Sequence, residues 1–303
     1  MDGRSSDWHL DEEIVSRLIA TQFPDLAGRA VSRYGSGWDN QLFRVGGEWI
    51  FRFPRRAERV PWLVREIEIM AIANETMAHA IPVFERAGVP SDTFPYPFAG
   101  YRPVPGVGAD EAGEPGVAGH SGLAADIGAL LSRLHRIDPS RVPPTPDGWE
   151  REPWAELRTE LAAVAELARP LLGPDLLARA EPYLAGQVME PPQDGPLRFI
   201  HNDICPDHVI VDPGTGRLNG LIDFGDAMAG DPVLDFVGLI GIDGYRFISR
   251  AAASYDLPLG GSFGTRLEWL CRVLTLTWLA DAAAHDRPSI GKHVSWVARA
   301  FGC

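Results

Sequence analysis

Apolar residues Leu10, Ile14 and Leu18 recur at four-residue intervals, with acidic residues around the first turn, and predict an amphipathic helix from Trp8 to Gln22. Two alternating apolar runs follow within AVSRYGSGWDNQLFRVGGEWIFRFPRR, and Gly46-Gly47 between them signals a β-hairpin. Helical spacing returns over roughly Pro61 to Met77, where Arg65, Glu66 and Glu68 lie among apolar residues. The stretch IPVFERAGVPSDTFPYPFAGYRPVPG is dense in proline and aromatic residues and predicts short strands and turns. Pro103, Pro105 and Gly106 mark a linker within it.

Past the linker the texture changes. A long helix ending near His135 is predicted in GEPGVAGHSGLAADIGALLSRLHRID, and two more in PWAELRTELAAVAELARPLL and PDLLARAEPYLAGQV. From Pro232 onward the pattern is helical again, broken by the glycine-rich LPLGGSFGT. The whole reads as an α+β chain, with a small β-rich N-terminal lobe over residues 1–103 and a larger, mainly helical lobe over 104–303.

One segment interrupts the helical region with chemistry. In FIHNDICPDHVIVDPGTGRLNGLIDFGD, Val209 to Val211 reads as a strand, Asp212 to Gly216 as a turn and Leu218 to Ile222 as the returning strand. Asp203 and His208 then fall in the loop entering the hairpin, and Asp223 at its exit. Carboxylates gathered at one end of a hairpin repel each other unless a cation or substrate lies between them. A divalent metal on Asp223, with Asp203 facing a substrate hydroxyl, would resolve that conflict.

Composition narrows the partners. The chain of 303 residues has a formal net charge of −13, which disfavours nucleic acid and anionic membranes and favours a cationic small molecule. Three cysteines, Cys205, Cys271 and Cys303, are too few and too irregularly spaced for a disulfide framework or a zinc site, which fits a reducing cytoplasm. No signal-like or membrane-length apolar run is present, so no membrane role is expected. Lys292 is the single lysine, so chemistry that ordinarily uses lysine must use another residue.

With those residues in view, His201-x-Asp203-x4-His208 followed by Ile222-Asp223-Phe224-Gly225 resembles the catalytic and metal motifs of the bilobal protein-kinase-like fold. The chain is similar to the aminoglycoside phosphotransferases, nearest to the 2″-O-phosphotransferases and more distantly to the macrolide phosphotransferases. The resemblance runs over roughly residues 30 to 240. It implies Mg2+ as cofactor and ATP or GTP as phosphate donor, with Asp203 as the catalytic base and His208 and Asp223 as metal ligands. Histidine stands at 208 where kinases in general have asparagine, as it does in the antibiotic kinases. His201 is expected to brace the loop, and His135 and Cys205 to pack.

The resemblance also assigns nucleotide-binding parts. Gly35 and Gly37 would let the backbone approach phosphates. Arg52 stands on the strand where kinases carry a lysine, with Glu66 as its expected helix partner and Glu68 as the second choice. Tyr101, Arg102, Pro103 and Val104 would form the hinge that meets the purine.

Protein kinases need a long segment after the Asp-Phe-Gly motif to dock a peptide. Here only DAMAG separates Gly225 from Asp231-Pro232, which predicts a small-molecule acceptor. An aminoglycoside would need carboxylates for its amines; Asp231, Asp235, Glu268 and Asp281 are the candidates, with Trp269 or Trp278 as a flat wall. Each also has a bland role available, as a helix cap, a structural partner or a solvated charge. A macrolide or another hydroxylated metabolite is the alternative acceptor. A nucleotide-binding pseudokinase is the rival from another class, and a metal-dependent hydrolase would need ligand motifs that the chain lacks.

Overall fold

A computed structural model describes residues 6–36, 39–77, 80–112, 121–146 and 162–302. The fold is mixed α+β, as expected. It divides into two compact units, and no single cut in the sequence separates them. The first unit comprises Met1–Pro105 together with two short returns, Pro143–Gly148 and Gly220–Gly225; the second holds the remainder.

The first unit is built on five antiparallel strands: β1 (Val31–Ser36), β2 (Asn40–Val45), β3 (Trp49–Pro54), β4 (Phe84–Gly88) and β5 (Phe98–Tyr101), in the order β1-β2-β3-β5-β4. Gly46 and Gly47, with φ of 62° and 77°, supply the left-handed turn that joins β2 to β3 in the predicted hairpin. β2 alternates in burial, sending Gln41, Phe43 and Val45 inward. Phe43, Phe51, Phe53, Phe94 and Phe98 form the aromatic centre of the core. The rings of Phe53 and Phe98 stack at 4.6 Å.

Helix α1 (Glu12–Gln22) closes this core with Val15, Leu18 and Ile19. It starts four residues later than the apolar pattern suggests, because the Asp11 carboxylate accepts from Ile14 N at 2.8 Å and caps the first turn. Helix α2 (Val60–Met77) matches its expected span and buries Leu63, Arg65, Glu66, Ile69 and Met70. Arg65 and Glu66 are consecutive buried charges, and buried charges need partners.

In the second unit, helices α3 (Ser121–Leu134), α4 (Pro174–Leu184), α5 (Leu234–Val237), α6 (Ile240–Ala253), α7 (Phe263–His285) and α8 (Ile290–Phe301) carry the core. Helix α8 packs on α6 and α7, and α3 packs on α6. Of the second predicted helix, residues 162–168 are helical and the earlier part lies outside the described residues. Strand β6 (Val107–Gly108) pairs with β8 (Val209–Val211), which turns at Asp212–Gly216 into β9 (Leu218–Leu221). Asp212 Oδ1 fixes that turn by accepting from the backbone N–H groups of Gly214 and Thr215. The pairing of β7 (Arg198–Ile200) with β10 (Met228–Gly230) is not signalled by local pattern. It uses most of the short stretch after Gly225 as a strand, which leaves no docking segment there.

Candidate active site

In the first unit, β3 and α2 bring Arg52 and Glu66 together. Arg52 Nη1 donates to Glu66 Oε1 at 2.7 Å and Oε2 at 2.5 Å, and both side chains are largely buried. Glu68 points outward and plays no part in this pair. Arg52 Nη2 lies 3.7 Å from Asp223 Oδ1, and the guanidinium sits over the Tyr101 ring at 5.6 Å. Burial opposes the Arg52 charge, but Glu66, Tyr101 and Asp223 outweigh it and hold its pKa well above the ordinary value. Arg52 is therefore a fixed cation joining β3, α2 and the turn that carries Asp223.

That turn is clamped from α2 as well. Buried Arg65 donates to the carbonyls of Pro143 (3.1 Å), Pro144 (3.2 Å) and Gly225 (3.0 Å). Asp223 has φ of 67°, a left-handed conformation that aspartate adopts more readily than most residues. In the sequence Arg65 lies among apolar positions with no role marked for it. Its place one helical turn before Ile69 and two before Ala73, both buried, is the sequence signal that could have found it.

The remaining nucleotide residues are placed differently. Gly35 lies in β1 opposite Leu42, beside a register irregularity, and Gly37 lies outside the described residues. Tyr101 sits in the ladder between Ile50 and Phe84, so its strand backbone belongs to the sheet and its hydroxyl is hydrogen-bonded to Arg52. This alters the expectation that Tyr101 offers backbone groups to a base. Residues 102–104 follow the strand without regular structure; Arg102 lies over the Trp49 ring at 4.7 Å.

In the second unit, β7 delivers the chain into the turn from His201 to His208. The turn is built around Asp235, which is fully buried. Its carboxylate accepts from His201 N (2.8 Å), Asn202 N (2.7 Å) and His135 Nε2 (2.9 Å). His135 Nδ1 in turn meets the Tyr255 hydroxyl at 2.8 Å, so the network assigns the proton to Nε2. Burial pushes the Tyr255 hydroxyl well up, which keeps it protonated. Gly238 permits the close packing, since a Cβ there would lie 1.6 Å from the Ile204 carbonyl oxygen.

This network sets Asp203. Its N–H donates to His201 Nδ1 at 3.3 Å, which gives His201 the bracing role expected of it. Its carbonyl meets His208 Nδ1 at 2.8 Å, and its carboxylate lies 3.4 Å from that nitrogen. The ligating atoms of Asp203, Cys205 and His208 lie within 4.8 Å of one another. Burial, with Asp203 and Asp207 adding to it, pushes the Cys205 thiol well up, so Cys205 stays protonated and is a poor partner for a hard cation. The donor set suited to Mg2+ is the carboxylate oxygens. His208 has Nδ1 committed to the Asp203 carbonyl, which directs any metal bond to Nε2.

The four carboxylates assigned to acceptor amines do not form one cluster. Asp235 is removed from that role, because a fully buried carboxylate with three hydrogen bonds cannot face a ligand. Asp231 Oδ2 lies 2.7 Å from Nε of Arg266, itself fully buried, which also bonds Asp194 at 2.5 Å. Glu268 pairs with Arg272 at 2.6 Å, one helical turn away. Asp281 is exposed and lies 3.8 Å from His285. Trp269 lines a cavity of about 220 Å³ with Tyr183, Val188, Met189, Glu190 and Val273, whereas Trp278 packs edge-on against Trp296.

Residues 30–267 match the model of APH, the phosphotransferase enzyme family. The Bacillus subtilis (strain 168) uncharacterized protein YcbJ is 24% identical over 230 residues, which is 74% of this chain and 72% of that protein. The GDP complex of wild-type aminoglycoside 2'-phosphotransferase-IIIa shares the fold with a TM-score of 0.73 and 24% identity, over 97% of this chain and 99% of that one. The GDP and kanamycin complex of APH(2")-IIIa gives 0.72 and 24% identity, over 95% and 98%. Macrolide 2'-phosphotransferase MphH from Brachybacterium faecium is more distant, at 0.64 and 20% identity over 95% and 97%. This order agrees with the resemblance read from the motifs. Among the described residues no helix is long and apolar enough to cross a membrane. With a family match across most of its length and a kinase-like fold, this chain belongs to the phosphotransferase enzyme family.

Proposed function

We propose that the protein transfers the γ-phosphoryl group of ATP or GTP to a hydroxyl of an aminoglycoside. The observation that carries this reading is the turn from His201 to His208, in which a buried carboxylate fixes Asp203 by backbone hydrogen bonds. A catalytic base must be held within hydrogen-bonding reach of the hydroxyl it serves, and a rigid turn supplies that. Asp203 would accept the acceptor's proton as the oxygen attacks. Arg52, fixed by Glu66, would meet the phosphate oxygens, with Gly35, Gly37 and residues 102–104 serving the rest of the nucleotide. Asp223 and His208 would ligate Mg2+, which when bound neutralises charge on the phosphates.

The aminoglycoside assignment draws on the relatives, one of which is solved with kanamycin, and on the net charge of −13. The macrolide reading is favoured by a different observation: Asp235 is sealed and Asp231 and Glu268 already carry arginine partners. The sparse cysteines fit action in the cytoplasm. The test is NDP release with Mg2+, using ATP and GTP separately, against aminoglycosides, macrolides and simple amino alcohols. Stimulation by aminoglycosides supports the reading; stimulation by macrolides alone replaces it. Nucleotide binding with no stimulated release makes the protein a pseudokinase.

A further inference from the structure

The cysteines do not space a zinc site among themselves, but the catalytic turn sets one of them beside two other ligands. Cys205 stands at the N-cap of a single 3-10 turn, Pro206–His208, and its carbonyl accepts from His208 N at 3.0 Å. Three positions is the spacing at which side chains of such a turn eclipse, which brings Cys205 and His208 to one face. Asp203 joins them, with its carboxylate 3.4 Å from His208 Nδ1. One Asp203 carboxylate oxygen, the Cys205 sulfur and one His208 ring nitrogen lie within 4.8 Å of one another.

This grouping is both held and open. Asp235 accepts from the N–H groups of His201 and Asn202, and the Asp203 N–H rests on His201, so the backbone that carries the ligands is fixed. The Asp203 carboxylate is 45% exposed and Cys205 and His208 are partly exposed, so a hydrated ion can reach all three. Thiolate, imidazole and carboxylate are together a donor set for zinc, and three protein ligands leave a fourth position for water or a phosphate oxygen. Magnesium gains nothing from sulfur, whereas thiolate and imidazole select zinc-class ions. On binding, a metal–sulfur bond replaces the S–H bond and the proton leaves to solvent.

We propose that this turn is an inhibitory site for a soft divalent cation of the zinc class, held by Asp203, Cys205 and His208. The inhibition rests on the phosphotransferase reading. The ion takes the carboxylate that would serve the acceptor hydroxyl and the imidazole that would ligate Mg2+, so transfer stops. Binding of the ion itself needs neither nucleotide nor acceptor.

The test adds Co2+, a spectroscopic substitute for zinc, to the full chain without nucleotide, for the natural protein, Cys205→Ser and Cys205→Ala. Serine keeps a hydrogen-bond donor at this position and removes the sulfur. A sulfur-to-cobalt charge-transfer band is expected in the natural protein, lost when Zn2+ is added in competition, and absent from both variants. Direct titration of Zn2+ should show binding at least about tenfold weaker in both variants. No such band, or the same band in all three proteins, overturns the proposal. Transfer is assayed separately in excess Mg2+, with free Zn2+ set by a metal buffer. The natural protein should lose transfer as free Zn2+ rises and regain it on chelation, while both variants should withstand about tenfold more. Equal loss in all three overturns the inhibitory role. A band that depends on Cys205, in a protein that transfers to no acceptor, would count against the phosphotransferase reading and leave the metal site standing.

Discussion

In the first unit the charged residues sit on a strand and a helix that fold for their own reasons. β3 is held by its neighbours in the sheet and α2 by its apolar face, and the Arg52–Glu66 pair is laid across them. In the second unit the dependence is reversed. The turn from His201 to His208 has little regular structure, and its backbone N–H groups at 201 and 202 are satisfied by the side chain of Asp235. A side-chain pair on regular elements tolerates a change of chemistry, so arginine can replace the usual lysine at 52 and still reach its glutamate. A loop whose backbone is held by one buried carboxylate has no such latitude.

Substitutions in the two regions should differ in their effects. Asp203→Ala removes the proposed base and is expected to cut transfer by roughly 10²–10⁴-fold while nucleotide affinity stays within about twofold. Asp235→Ala orphans two backbone donors and His135 in a buried site, and should cost roughly 3–5 kcal/mol in urea unfolding. A loss below about 1 kcal/mol would remove Asp235 as the organiser of the turn. Arg52→Ala should raise the KM for nucleotide about tenfold, whereas Arg52→Lys should recover part of the loss, since either cation can pair with Glu66. Equal loss in both would show that the fork geometry of arginine is essential. At the small end, Arg217→Ala breaks an exposed bidentate pair with Asp126 and should cost under about 1 kcal/mol.

What was legible in the sequence was local. Gly46-Gly47 announced its hairpin, the apolar spacing of Pro61 to Met77 announced α2, and the motif around Asp203 announced the family. What was illegible depended on residues far apart in the chain. Asp235 is open in sequence between an acceptor ligand and a structural partner of the catalytic loop, because nothing near it in sequence shows that it reaches His201 N, 34 residues back, and His135, 100 residues back. Arg266 reads as an ordinary helical cation, yet it is fully buried and neutralises Asp194 and Asp231. Likewise β10 pairs with β7 across 28 residues and leaves no alternating signal of its own. The choice between Glu66 and Glu68 was open to periodicity, and burial of the helix face decided it.

On the phosphotransferase reading the braced turn would present Asp203 to an acceptor hydroxyl. The direct measurement is transfer of labelled γ-phosphate from ATP or GTP to the best acceptor, compared between the natural protein and Asp203→Ala, with nucleotide binding titrated in parallel. Transfer is expected to collapse while nucleotide affinity persists. Undiminished transfer by Asp203→Ala would contradict it.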